Sequence, residues 1–188
     1  TQYDNADAMA QALKLGEVDA CYLIQKEQMD TLEGEEGIEV GNYNTFDYEY
    51  MGYNLLDELL QDKTIRHAID YCTDKEQIIE MSYSGLAQIA YGPINNAGYI
   101  YEPAEKRDCD IDKANQILDE AGYKDTDGDG IVEKDGQPLT IEYCSPTDKA
   151  SNKAAAPVIQ AQLKEIGIDM QITEYESAYI KQLQRDND

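Results

Sequence analysis

The chain has 188 residues, of which 39 are acidic and 15 basic, for a formal net charge of −24. That balance excludes a nucleic-acid binder, because phosphate contacts are made by Lys and Arg, and it excludes a basic membrane-surface module. Mean hydropathy is −0.65. No run approaches the ~18 apolar residues of a membrane span, and the apolar residues fall instead in periodic segments, as in a folded core.

The sequence starts Thr1-Gln2-Tyr3, without an initiator Met or signal pattern, and stops at Asp186-Asn187-Asp188 just after a helical pattern. It is therefore read as a piece of a longer protein. Asn5 is placed to cap a helix through Ala8, Met9, Ala12 and Leu13, with Gly16 at the left-handed C-cap position. Val18 to Leu23 reads as a strand, Lys26 to Leu32 as a short helix, Gly34 to Gly37 as a turn and Ile38 to Tyr43 as extended. Residues 1–43 thus alternate helix and strand, as α/β units do.

Phe46 to Leu55 reads as a tyrosine-rich strand, with Phe46, Tyr48 and Tyr50 on one face and Met51, Tyr53 and Leu55 on the other. Thr64 to Cys72 has helical spacing, with Ile65, Ala68, Ile69 and Cys72 on one stripe. Thr73 to Glu76 has the form of a capping box and opens a helix carrying Ile78, Ile79 and Met81 that stops near Gly85. Leu86 to Asp110 is aperiodic and rich in Gly, Pro and Asn, a long loop. Asp110 caps a helix from Ile111 to Ala121, ending at Gly122. Residues 124–138 are turn-rich, and Leu139 to Tyr143 is a strand. A helix runs on to Ile166 and Gly167, with Pro157 either starting its regular part or kinking it. Ile168 to Tyr175 is a strand, and Ser177 caps a last helix to about Arg185.

Little catalytic chemistry is available. No GxSxG, HExxH, P-loop or GxGxxG occurs. The single histidine, His67, lies on the Thr64–Cys72 helix and reads as structural. The four cysteines, Cys21, Cys72, Cys109 and Cys144, form no CxxC pair. They read as small buried hydrophobes, with one disulfide of unspecified pairing left open. Tyrosine is over-used, at 15 against one Phe and no Trp, and serves equally half-buried packing and ligand contact.

One spacing carries ligand chemistry. Asp125-Thr126-Asp127-Gly128-Asp129-Gly130 places three carboxylates at alternate positions before a glycine. With the Ile131 carbonyl, Glu133 and Asp135 they form a candidate oxygen set for structural Ca²⁺. Gly136 stands where a bidentate acid usually closes such a loop. A plain Asp/Gly turn ahead of the Leu139 strand is the competing reading.

The middle of the chain resembles the peptide/nickel family of ABC-importer solute-binding proteins. Tyr50-Met51-Gly52-Tyr53-Asn54 is similar to that family's Y-x-G-F-N strand. Asp62 through Lys75 is similar to D-x-x-V-R-x-A-I-x-Y-A-I-D-R. Tyr91-Gly92-Pro93-Ile94, Asp112 through Tyr123, Asp127 through Gly136, and Ile159 through Ile168 follow in the family's order, and Gly16-Glu17-Val18-Asp19 resembles its S-G-E-I-D. Departures are the charged stretch Ala104–Asp110, His67 where Gln is frequent, and Pro93-Ile94-Asn95-Asn96 without a second proline.

The resemblance implies an α/β, type II periplasmic-binding-protein-like lobe, a mixed β-sheet flanked by helices. Residues 1–45 would be the tail of a first lobe, and residues 46–188 a C-terminally truncated second lobe reached across a hinge. It implies a non-enzymatic substrate-binding component that closes over its cargo, with oligopeptide ahead of dipeptide or nickel. Tyr48 and Tyr50 are then candidate ligand contacts, with Tyr53 behind them and Tyr91, Pro93 and Asn95 near the cleft mouth; strand packing competes for the first three. No cofactor is required beyond the calcium question. The implied partners are a peptide and ABC permease subunits. The implied location is extracytoplasmic, periplasmic or as a cell-surface lipoprotein, with membrane attachment through an N-terminal anchor outside this sequence. Two rival readings are a calcium-dependent structural or adhesion module and a ligand-sensing domain of a regulator.

Overall fold

The computed structural model describes residues 3, 5–22, 26–94 and 105–186. Contacts divide the chain into two units, Thr1–Thr45 and Phe46–Asp188. No helix among the described residues is long and apolar enough to cross a membrane.

The first unit is built on helices α1 (Ala6–Lys14) and α2 (Lys26–Leu32). Asn5 caps α1 by accepting a hydrogen bond from the Ala8 N–H at 2.8 Å, and the chain leaves through Gly16 at φ +69°. Ala10, Ala12 and Leu32 are buried, and Lys14 pairs with Glu35 at 2.7 Å. The strand expected at Val18–Leu23 is not formed over residues 18–22, and Leu23 lies outside the described residues. Residues 38–43 likewise form no strand. A strand exists only as one side of a hydrogen-bonded pair, and neither stretch has a partner among the described residues.

The second unit begins with residues 46–54, which run without strand pairing and so correct the expected ladder there. Short α3 (Glu58–Gln61) follows, then α4 (Lys63–Cys72) and α5 (Lys75–Tyr83). The α4 stripe is as the spacing predicts, with Ile65, Ala68, Ile69 and Cys72 at most 1% exposed. The capping box is shifted by one residue. Thr73 ends α4, its hydroxyl donating to the Ile69 carbonyl at 2.6 Å, and Asp74 is the N-cap of α5, accepting from the Gln77 N–H at 3.0 Å. A hydroxyl committed backwards cannot also cap forwards.

Helix α6 (Ile111–Glu120) is capped by Asp110, which accepts from the Lys113 N–H at 2.8 Å. The turn-rich stretch contains a hairpin, β1 (Glu133–Lys134) and β2 (Gln137–Pro138), antiparallel. Its turn is Asp135-Gly136 with both φ angles positive, the mirror-image geometry that matches strand twist. β3 (Thr140–Pro146), α7 (Ala150–Glu165) and β4 (Asp169–Tyr175) form a β-α-β unit, with β3 and β4 parallel and Ile141 opposite Met170.

Pro157 sits inside α7, seven residues past its start, so it does not begin the helix. It leaves the Lys153 carbonyl without its helical donor, on an exposed turn where water can replace it. α8 (Ser177–Asp186) opens with the Ser177 N–H and hydroxyl both donating to Asp148, so Asp148 supplies the acceptor expected of Ser177.

The core gathers the α4 stripe, Ala114 and Leu118 of α6, Tyr123, Leu139 and Ile141, Ala155, Ile159 and Leu163 of α7, and Ile166, Ile168 and Met170. Cysteine placement departs from the expectation of four buried residues. Cys72 is buried, Cys21 and Cys144 are half-buried, and Cys109 is exposed in the segment leading to the α6 cap.

Candidate functional site

The alternation in residues 46–53 survives without a ladder. Met51 and Tyr53 pack against the core, while the rings of Tyr48 and Tyr50 stack with centroids 5.6 Å apart and planes 15° apart. Phe46 and Tyr50 are each 68% exposed. Leu55 does not join the inward face. The Asn54 side chain accepts from the Leu56 N–H at 3.0 Å and turns the chain, leaving Leu55 exposed.

Glu49, between the two stacked tyrosines, fixes this segment to the start of α7. Its carboxylate accepts from Asn152 Nδ2 at 3.4 Å and lies 3.9 Å from Lys149 Nζ. The tyrosine pair is thereby tied to the β3–α7 connection, at the carboxyl end of β3. In open α/β sheets that end is where ligands are held. Half-buried Tyr143 on β3 has its phenol pushed up by burial and by the nearby Glu49 carboxylate.

Among the described residues, the buried side-chain oxygens without a hydrogen-bond partner are those of Ser82, Ser145 and Asn152. Ser145 is on β3 and Asn152 in the first turn of α7. Ser82 is in the last turn of α5, whose N-cap Asp74 and first-turn Gln77 bond Gln162 near the far end of α7. Glu49, Lys149, Ser145 and Asn152 were not singled out by sequence. The one signal was Glu49 between two tyrosines, and an acidic residue in so acidic a chain does not stand out.

Tyr53 is packed inward, and burial, with Asp70 nearby, pushes its hydroxyl up to about 12. Tyr91 spends its hydroxyl on Asp108, and Lys106 Nζ sits 5.6 Å from its ring centre. Tyr91 therefore ties its loop to residues 106–108. The hydrogen bond to Asp108 raises its pKa. Pro93 is exposed, and Asn95 lies outside the described residues. His67 is exposed on α4.

The aspartate loop brings carboxylate oxygens of Asp125, Asp127, Asp129 and Glu133 within 4.8 Å of one another. The loop is also internally bonded. Asp125 accepts from the Gly128 and Gly130 N–H groups at 2.7 and 3.0 Å, and Asp127 from Asp129 at 3.1 Å. Asp129 accepts from Ile131 at 2.7 Å, and Glu133 from the Thr126 N–H and hydroxyl at 2.8 Å. These four are hard oxygen donors of the kind Ca²⁺ takes. Asp135 stands outside the group, in the β1–β2 turn at φ +54°. Ile131 takes part through its N–H, which donates to Asp129.

A model of the bacterial extracellular solute-binding proteins, family 5, described as its middle part, matches residues 1–188. The oligopeptide-binding protein AppA of Bacillus subtilis is 31% identical over 188 residues, covering 97% of this chain and 34% of AppA. The solved structure of that AppA in complex with a nonapeptide superposes with a TM-score of 0.77 at 30% identity, covering 95% of this chain and 36% of that one. A nickel ABC transporter structure from Bacillus halodurans superposes with a TM-score of 0.81 at 30% identity, covering 97% of this chain and 38% of that one. The chain thus spans about a third of the length of the first relatives it matches. Its α/β architecture is that of type II periplasmic binding proteins. The chain belongs to the bacterial extracellular solute-binding proteins of family 5.

Proposed function

We propose that this chain is the cargo-facing part of the binding component of an ABC importer, and that its cargo is an oligopeptide. The observation that carries the reading is the Tyr48-Glu49-Tyr50 segment. It is pinned to α7 through Glu49, with its stacked rings turned away from the core at the carboxyl end of β3. Tyrosine offers an apolar ring to side chains and a hydroxyl to peptide groups, which suits an extended peptide of varied sequence. Family membership and the likeness to a nonapeptide-bound AppA support it.

Nickel is the weaker cargo. Imidazole nitrogen suits Ni²⁺ better than carboxylate, and the chain's one histidine is exposed on α4. In this reading residues 1–45 belong to one lobe and 46–188 to the other, and the full-length protein closes over its cargo by hinge motion. The family's extracellular description supports an extracytoplasmic location, and the proposal extends to a permease partner and attachment through an N-terminal anchor. The acidity disfavours anionic cargo by long-range repulsion. Neither the adhesion nor the regulator reading gains support from relatives such as an oligopeptide-binding and a di/tripeptide-binding protein.

The test is titration calorimetry of the full-length protein with defined oligopeptides and, separately, with Ni²⁺. Saturable peptide binding is expected, weakened by Tyr50→Ala; tight nickel binding without peptide binding overturns the cargo assignment. A second reading concerns the aspartate loop alone. Its four converging carboxylates favour a bound structural Ca²⁺ that staples the loop and takes no part in cargo contact.

A further inference from the structure

Cys72 ends α4, and Cys109 lies next to the Asp110 cap of α6, 37 positions later. The structure sets them side by side. The Asp110 N–H donates to the Tyr71 carbonyl at 2.8 Å, and Cys109 Sγ lies 3.6 Å from the Cys72 carbonyl oxygen. A disulfide needs its Cα atoms ~4.4–6.8 Å apart, and the Asp110–Tyr71 bond brings the two backbones together one residue away from each cysteine. Three polar contacts fix the same juncture from the other side. Arg107 Nη1 donates to Asp70 at 3.1 Å, Lys75 Nζ to the Arg107 carbonyl at 3.1 Å, and Lys75 Nζ to Asp70 at 3.0 Å. The segment before α6 is thus held against the end of α4 before any covalent bond forms.

We propose that Cys72 and Cys109 form a disulfide in the mature protein, stapling the segment before α6 to the end of α4. This goes beyond the cargo reading and depends only on an oxidising compartment, as expected for an extracellular family. The oxidant is a small-molecule or protein disulfide. The Cys109 thiolate attacks one of its sulfurs, forming a mixed disulfide and releasing one thiol. Cys72 then attacks Cys109 Sγ, forming the Sγ–Sγ bond and releasing the second thiol. Two cysteine thiols are oxidised, one external disulfide is reduced to two thiols, and the two cysteine protons pass to the released sulfurs.

The exposed Cys109 is the entry point, and Cys72 is fully buried once folded. Burial pushes the Cys72 thiol up to about 12, so the second step belongs to folding, before α4 is covered. The weak bond that the Cys72 S–H donates to the Gln162 carbonyl at 2.8 Å is given up in the exchange. The cross-link closes residues 73–108 into a loop, a span that encloses α5, and restricts the unfolded chain accordingly.

The test is alkylation of the denatured full-length protein, secreted into an oxidising compartment, with peptide mapping before and after reduction. Cys72 and Cys109 should resist alkylation until reduced and appear as one linked peptide pair, while Cys21 and Cys144 react at once. Reduction should lower the melting temperature by roughly 5–10 °C in the native sequence, and should produce no shift in Cys72→Ala or Cys109→Ala. Immediate alkylation of Cys72 and Cys109, or either one linked to a different cysteine, overturns the proposal. Cys109→Ala alters an exposed position, so its folding keeps the test open if Cys72→Ala does not fold.

Discussion

Asn152, in the first turn of α7, donates its side-chain N–H to the Glu49 carboxylate at 3.4 Å. This bond connects the segment that opens the second unit to the helix following β3. With the packing of Met51 and Tyr53 against the core, it helps to place Tyr48 and Tyr50 where no strand ladder runs. Tyr50→Ala is expected to weaken oligopeptide binding by the full-length protein about tenfold, the loss typical of an aromatic anchor. Glu49→Ala should weaken it less, by releasing the segment. Both variants should melt as the native protein does, since Tyr50 is 68% exposed and Glu49 is exposed. Calorimetric affinities equal to the native value for both would remove this segment from the cargo site.

Four carboxylates converge in the aspartate loop, and a bound divalent cation would relieve their mutual repulsion. Ca²⁺ at a hundred times its dissociation constant should stabilise the protein by about 2.7 kcal/mol. Asp127→Asn keeps the Oδ1 that accepts from Asp129 but removes a charge. It should therefore reduce the calcium-dependent rise in melting temperature without altering the fold. Identical melting curves in calcium and in chelator would leave the loop a plain turn.

Gly167 joins that loop to the core. Its carbonyl accepts from the Val132 N–H at 2.9 Å, and at φ +75° a β-carbon there would lie 2.7 Å from Val132 Cγ1. Gly167→Ala combines backbone strain with a clash and should cost about 1–3 kcal/mol. Denaturant unfolding reads this directly, and an unchanged midpoint would contradict the packing described.

Tyr53 gives a pH signature. Its folded pKa of about 12 lies above the ordinary value of 10.0, so the folded state holds the proton more tightly. The corresponding stability is fully present below pH 10 and is lost as pH rises through about 12. At about 1.36 kcal/mol per pH unit, this comes to roughly 2–3 kcal/mol. Tyr53→Phe should unfold at higher pH than the native protein, and the two should differ least at neutral pH. Equal alkaline midpoints would show that Tyr53 is not buried as described.

Helices with both a cap and a stripe were legible from sequence. α1 with Asn5, α4 with its four buried residues, and α6 with Asp110 each state their start and their inward face within about ten residues. β4 was legible because Ile168, Met170 and Ile172 alternate over a single buried face. Residues 18–22 and 46–54 misled because a strand-like run of residues says nothing of whether a partner strand is at hand. The β1–β2 strands are two residues each, too short for any period. The tyrosine pair was visible in sequence, but its tether was not. Glu49 and Asn152 are 103 positions apart, and only the β-α-β crossover brings them together.

Native mass spectrometry of the full-length protein, incubated in parallel with an oligopeptide library and with Ni²⁺, tests the central claim most directly. The account predicts retained peptide masses that compete with one another and diminish in Tyr50→Ala. Retention of nickel with no peptide bound would contradict it.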